Sequence, residues 1–439
     1  MVRSPLFSFV WSHSVTASPS SLSPRRRPGR SGWLVPVVAV LLAVTACSGG
    51  DGGSDGKSNN ADGGGKGVST KDDGPPPPKF TLTPAADTTG VAPASTVTVA
   101  VDRGKLTTVG VRSQKGDVVA GALGADGRWV SKGKLSFGAT YTVQASTDEV
   151  TTPTTVGSFT TAPIPGGSTS VRASSILGDG KTYGIGMPII LKLSNAVRSP
   201  AQRAAFEKTL TVKSTPATSG AWGWVNSREV HFRPRTFWAS GSAVHVTVDS
   251  AGRPLGGGLW SRTDLTIDFK IGTQREVKVN SATKTMQVFE GGKVIRTIPV
   301  SLGKPKYPSS SGTMVVIDKR KEAMFDSSTY GLAVDAPDGY RTKVQYPLRI
   351  TWGGQFIHSA PWSVADQGRR NVSHGCINVA PANALWLYQR LAVGDPVTVT
   401  NTEARVKAGD GWTAWSVDFA SWLKQSAAGE RATDGTAAN

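Results

Sequence analysis

Along this chain, stretches without apolar rhythm alternate with stretches in which apolar and polar residues take turns. From residue 48 to 79 there is no rhythm: Gly, Ser, Asp, Asn and Lys dominate, closing on Pro75-Pro76-Pro77-Pro78. So little apolar surface cannot offset the entropy of ordering, which predicts a flexible coil ending in a stiff polyproline segment. Period-two alternation begins at Phe80, as in Thr96-Val97-Thr98-Val99-Ala100-Val101 and Thr140-Tyr141-Thr142-Val143, with turn clusters such as Gly124-Ala125-Asp126-Gly127 between. Short strands at that spacing predict a β-sandwich over 80–163. The rhythm recurs in Pro188-Ile189-Ile190-Leu191-Lys192-Leu193, Glu229-Val230-His231-Phe232 and Val244-His245-Val246-Thr247-Val248, predicting a second sandwich over 164–272. A third β-rich domain follows over 273–402, with strands expected at Arg275 to Val279, Thr285 to Glu290, Lys293 to Val300 and Thr313 to Asp318. One helix interrupts it. Pro381 suits a first helical position, Leu385, Tyr388 and Ala392 recur at i, i+3 and i+7, and Gly394-Asp395-Pro396 stops it before a strand from Pro396 to Thr400. In 403–439, Trp412, Trp415 and Trp422 predict a small subdomain packed back on the rest, while the last dozen residues read as disordered. The expected fold class is mainly β.

Residues 1–47 carry an export signature. Arg25, Arg26, Arg27 and Arg30 precede an apolar run from Trp33 to Val44, whereas residues before Arg25 lack signal character. A run of about a dozen residues falls short of the roughly 20 that span a bilayer. Leu42-Ala43-Val44-Thr45-Ala46-Cys47 resembles a lipobox, which implies lipidation of Cys47 and a lipid anchor on the outer face of the cytoplasmic membrane. The other reading is an ordinary cleavable signal or short anchor. Net charge is +18, but the basic residues are scattered and no recognition motif accompanies them, so nucleic acid is not the expected partner. That sign suits acidic wall polymers and phospholipid headgroups.

Exported domains tend to pair their cysteines or avoid them. Cys376 is the one cysteine outside the leader, which makes it a candidate nucleophile. It lies in Ser373-His374-Gly375-Cys376-Ile377-Asn378, downstream of Phe356-Ile357-His358-Ser359-Ala360-Pro361-Trp362. A thiol needs a neighbouring base or positive field to attack well. Of five histidines, only His358 and His374 fall near it in sequence, and either could serve. Gly375 permits a sharp turn that bares amide N–H groups for an oxyanion. His358, His374 and Cys376 could also ligate zinc, but no fourth ligand stands at a recognisable spacing, so neither metal nor cofactor is expected.

The order His358-Ser359, then Ser373-His374-Gly375-Cys376 and Asn378, resembles the L,D-transpeptidase catalytic domain of YkuD type. Ser327-Ser328-Thr329-Tyr330-Gly331 and Asp338-Gly339-Tyr340-Arg341 extend the match. The two sandwiches resemble the bacterial immunoglobulin-like modules of the lipid-anchored members. The resemblance implies that Cys376 is the nucleophile and His358 its base, oriented by the carbonyl of Ser359. The amides of His374, Gly375 and Cys376 would form the oxyanion hole. Tyr340 would belong to a mobile lid, which Phe325 would line, and Ser373, Trp362 and Asn378 would shape the substrate site. It also implies the reaction. Cys376 would attack the third residue of a tetrapeptide donor stem and release D-alanine, and a second stem's diamino acid side chain would resolve the thioester into a 3→3 peptidoglycan cross-link. Carbapenem-type β-lactams would acylate the same thiol. The competing readings are a cysteine hydrolase that trims stems or cuts links, and a non-catalytic wall-binding lipoprotein.

Overall fold

The structure is a computed structural model that describes residues 76–435. The leader with Cys47, nearly all of the 48–79 linker and residues 436–439 lie outside the described residues.

The first sandwich faces one sheet (Phe80–Thr83, Thr98–Val101, Trp129–Ser131, Gly121–Leu123) with another (Leu106–Ser113, Thr140–Thr147, Thr154–Thr160). Alternation does the work: Tyr141, Val143 and Ala145 of one strand are buried beside Val97, Val99, Val111 and Phe159. In the second sandwich, Lys181–Tyr183, Asp264–Ile271, Ala243–Asp249 and Leu210–Thr215 face a five-stranded sheet centred on Glu229–Pro234. It carries a helix, Pro200–Glu207, that strand periodicity did not anticipate. Its signal was local: Ser199 accepts the Gln202 amide and the Gln202 side chain returns to the Ser199 N–H, a full capping box. The sandwiches meet where Phe137 stands edge-on to Trp260 at 5.6 Å and Lys134 reaches both Asp249 and Asp264 at 2.6 Å.

The third domain holds a six-stranded sheet in the order Lys293–Pro299, Thr285–Glu290, Arg275–Asn280, Pro396–Thr400, Ser310–Val315, Ala404–Arg405. A second sheet runs Asp318–Lys319, Leu348–Arg349, Phe356–Ser359, Ile377–Val379. The helix forms over Pro381–Arg390. Its buried stripe is Ala384, Leu387 and Leu391, one residue from the predicted one, and Leu385 is 36% exposed. The sheet beneath, not the heptad-like spacing, chose the face.

The tail does not make a subdomain of its own. Trp412 joins the core of the second sandwich, and Trp422 buries against Ala221 of that sandwich, its indole N–H donating to the Ala221 carbonyl at 3.0 Å. Nor is the end of the described chain disordered. Glu430–Ala432 adds a strand to Ser219–Asn226, and buried Thr433 exchanges hydrogen bonds with Thr218 and Ser214. Edge pairing by a three-residue polar strand leaves no apolar rhythm to read. The second sandwich also abuts the third domain directly. Gly184 and Gly186 donate to the carbonyls of Val393 and Gly394 at 2.8 and 2.9 Å, and a Cβ on Gly184 would lie 2.2 Å from the Asp395 nitrogen.

Candidate active site

Two parallel strands build the site. Phe356–Ser359 pairs with Ile377–Val379 in the register Ile357↔Ile377, His358↔Asn378 and Ser359↔Val379. Cys376 therefore immediately precedes one strand while His358 sits within its neighbour. Both line a cavity of about 270 Å³ with Phe325, Tyr340, Trp362, Ser373, His374 and Asn378. The structure thus gathers every cavity-lining residue read from the motif, across roughly fifty positions of sequence.

The turn before Cys376 is held by side-chain hydroxyls. Ser373 Oγ donates to the Cys376 carbonyl at 2.6 Å and accepts the Gly375 N–H at 3.1 Å, while Ser309 Oγ donates to the Gly375 carbonyl at 2.8 Å. Gly375 has φ +114°, a conformation that side-chain-bearing residues avoid. One expectation changes here. The Gly375 amide is already engaged by Ser373, whereas the amides of His374 and Cys376 have no intramolecular partner among the described residues. An oxyanion would be met by those two.

His358 is buried, and its Nδ1–H donates to the Ser359 carbonyl at 2.9 Å. That bond fixes the tautomer, leaving Nε2 as the basic nitrogen. Phe325 meets the ring edge-on at 5.1 Å and Trp362 lies 6.0 Å away. Trp362 is 59% exposed, so it is a rim residue and not a core one. Burial pushes the imidazole pKa down to about 4, opposed in part by the Ser359 carbonyl. Burial likewise pushes the Cys376 thiol up to about 12, against a smaller opposing hydrogen bond from the Phe356 backbone. The resting pair is therefore neutral thiol and neutral imidazole, not thiolate and imidazolium. Cys376 is also less accessible than a surface nucleophile: 8% exposed, with Sγ donating to the Gly354 carbonyl at 3.6 Å. Gly354 carried no sequence signal, since a backbone carbonyl has none.

His374 sits differently. Its ring lies between Tyr307 and Tyr340, at 5.0 and 5.3 Å, and Nε2 points to Asp338 at 3.6 Å. Its pKa is lowered, chiefly by desolvation and then by the charge of Lys304. Asn378 donates from Nδ2 to Ser363 Oγ at 3.1 Å, leaving a buried Oδ1 without a hydrogen-bond partner among the described residues. Phe325 and Tyr340 stand on or beside a separate two-stranded ribbon, Glu322–Asp326 with Arg341–Gln345, that roofs the cavity. A second cavity of about 370 Å³ lies on the other side of those two aromatics, lined by Arg320, Arg349, Trp352 and Gly354. Among the described residues, no three His, Cys, Asp or Glu side chains are grouped to hold a metal ion.

This arrangement suits acyl transfer through a thiol. Comparison with known proteins points the same way. The L,D-transpeptidase catalytic domain family matches residues 274–399, and the bacterial Ig domain family matches 88–254. L,D-transpeptidase 2 of Mycobacterium tuberculosis (strain CDC 1551 / Oshkosh) is 33% identical over 410 residues, covering 90% of this chain and 95% of its own. L,D-transpeptidase 5 of M. tuberculosis (strain ATCC 25618 / H37Rv) is 31% identical over 367 residues, covering 80% of this chain and 78% of its own. Among solved structures, the LD transpeptidase LdtMt1 in complex with imipenem is 34% identical, covers 54% of this chain and 100% of its own, and superposes with a TM-score of 0.47.

Proposed function

This chain belongs to the L,D-transpeptidase family, enzymes that cross-link peptidoglycan by acyl transfer through a cysteine, and from that premise we propose how its own residues carry the reaction. The observation that carries the proposal is the His358 Nδ1–H bond to the Ser359 carbonyl at 2.9 Å in the cavity that also holds Cys376. It leaves Nε2 unprotonated, the nitrogen that can take the thiol proton as the sulfur attacks.

In the first step the Cys376 sulfur adds to the carbonyl of the donor stem's third residue as its proton passes to His358 Nε2. The amides of His374 and Cys376 hold the resulting oxyanion. Collapse expels terminal D-alanine, whose nitrogen takes the proton from His358, and leaves a thioester. In the second step the side-chain amine of an acceptor stem's diamino acid attacks that thioester. His358 removes a proton from the amine, the C–S bond breaks, and the proton returns to sulfur. The product is a 3→3 cross-link and the starting thiol. Trp362, Phe325 and Tyr340 bound the donor's path. Carbapenem-type β-lactams enter the same step, because their strained carbonyl resembles an activated donor amide.

Cys47 is lipidated in this proposal, anchoring the chain to the outer face of the cytoplasmic membrane. If the 32-residue stretch 48–79 is the coil its composition predicts, it would span roughly 30 Å root-mean-square. With the two sandwiches beyond it, it sets the height at which Cys376 meets mature stems. The test of the chemistry is mass spectrometry of residues 80–439 incubated with a disaccharide-tetrapeptide. A 3→3 dimer with release of D-alanine is expected. Tripeptide alone would make the chain a hydrolase.

A further inference from the structure

The roofing ribbon is a sheet of its own, hydrogen-bonded to no other strand among the described residues. Its outer parts bury little: Met324 is 55% and Val334 42% exposed. Apolar packing therefore does not hold the 327–340 connection down. Besides the Tyr340 ring against His374, one carboxylate ties it down. Asp338 accepts from Lys304 Nζ at 2.6 Å, Lys306 Nζ at 2.7 Å and Tyr307 Oη at 3.3 Å, and His374 Nε2 stands 3.6 Å from it. Its partners belong to the loop that also fixes the nucleophile turn. The Lys304 N–H donates to the Ser373 carbonyl at 2.9 Å, and Ser309 at the end of that loop binds the Gly375 carbonyl. Tyr340, two residues beyond Asp338, reaches the cavity wall against His374.

Resting on the transpeptidase reading, we propose that Asp338 is a positioning residue, a charged clasp that closes the lid onto the Lys304–Tyr307 loop and the nucleophile turn. His374 gives its backbone amide to the oxyanion site, while its Nε2, 3.6 Å from Asp338, makes no hydrogen bond among the described residues. Long substrates need the closed lid, since Tyr340 and Phe325 confine them; a small thiol reagent does not. The clasp is electrostatic and half in water, with Lys306 67% exposed, so salt weakens it.

The experiment compares the purified chain with its Asp338→Asn and Lys304→Ala variants. Two rates are read: kcat/KM for tetrapeptide donor, and Cys376 alkylation by iodoacetamide. Asp338→Asn is expected to lower the peptide rate about tenfold, the scale of losing charge-assisted hydrogen bonds, while alkylation stays equal or rises. Lys304→Ala should move both rates in the same directions. A charge swap, Asp338→Lys with Lys304→Asp and Lys306→Asp, should recover part of the peptide rate. Unchanged peptide turnover in Asp338→Asn would overturn the clasp. Parallel loss of both rates would place Asp338 on the thiol and not on the lid, and a swap no better than the single variant would remove the charge pairing. Absence of dimer from the unmutated chain would instead count against the transpeptidase reading.

Discussion

At the scale of single residues, the site is defined by two shifted groups and the hydrogen bonds around them. Cys376 at about 12 and His358 at about 4 are both held neutral by burial. Iodoacetamide alkylation of Cys376 should therefore keep rising past pH 9, without the plateau near pH 7 of a preformed ion pair; a plateau there would contradict the neutral resting pair. Stability follows the same groups. Between pH 6.5 and 4 the unfolded chain binds a proton that buried His358 refuses, a loss on acidification that Asp395, pushed up to about 7 by burial, opposes over the same window. Above pH 9 the unfolded chain releases a proton that Cys376 keeps, so stability falls again as pH rises. Melting curves of Cys376→Ala should show a smaller alkaline loss than the parent and an unchanged acid limb. His358→Ala should reduce donor turnover by about 10² to 10⁴, the range for a general base, whereas His374→Ala should cost far less. Equal losses would reopen the choice of base. The catalytic set was legible because Ser373-His374-Gly375-Cys376 and His358-Ser359 are local motifs. The neutral resting state was not, since a thiol near a histidine reads equally well as an ion pair until burial is known.

At the scale of elements, alternation located strands in all three domains, because a half-buried strand must alternate, although Leu106–Ser113, Ser219–Asn226 and Asp264–Ile271, eight residues each, were not among those read. It failed where another rule operated. Pro200–Glu207 was announced by a capping box amid strands, the Pro381–Arg390 stripe was offset by a residue, and Glu430–Ala432 joined a sheet through its backbone alone. The tail is the clearest case of tertiary override. Trp422 is buried at 2%, and its ring fills the space where a Cβ on Gly223 would lie 2.5 Å from it. Trp422→Ala should cost about 3–5 kcal/mol by lost burial and cavity, read as a lower melting temperature with the catalytic thiol still reactive in the folded protein. A change below about 1 kcal/mol would mean that the tail merely lies on the sandwich.

At the scale of the whole molecule, the question is why a catalytic domain carries two sandwiches. The second is joined to it through Gly184, Gly186 and Trp415, whose indole N–H donates to the Gly186 carbonyl at 2.7 Å. That sandwich is a structural partner. The first touches the second through Phe137, Trp260 and Lys134 and lends nothing to the cavity. Deleting 80–163 should spare activity on soluble muropeptides and lower 3→3 content in cells, measured by muropeptide profiling. Unchanged cellular cross-linking would remove height as its purpose. Cys47→Ala should release an active protein into the medium. The central claim, a thioester on Cys376 that passes to an amine, is tested most directly by intact-protein mass spectrometry in a single turnover. With tetrapeptide donor alone, the account predicts one acyl adduct per chain, mapped to Cys376, that disappears into 3→3 dimer when acceptor is added. An adduct on another residue, or one on Cys376 that the acceptor amine leaves untouched, would contradict it.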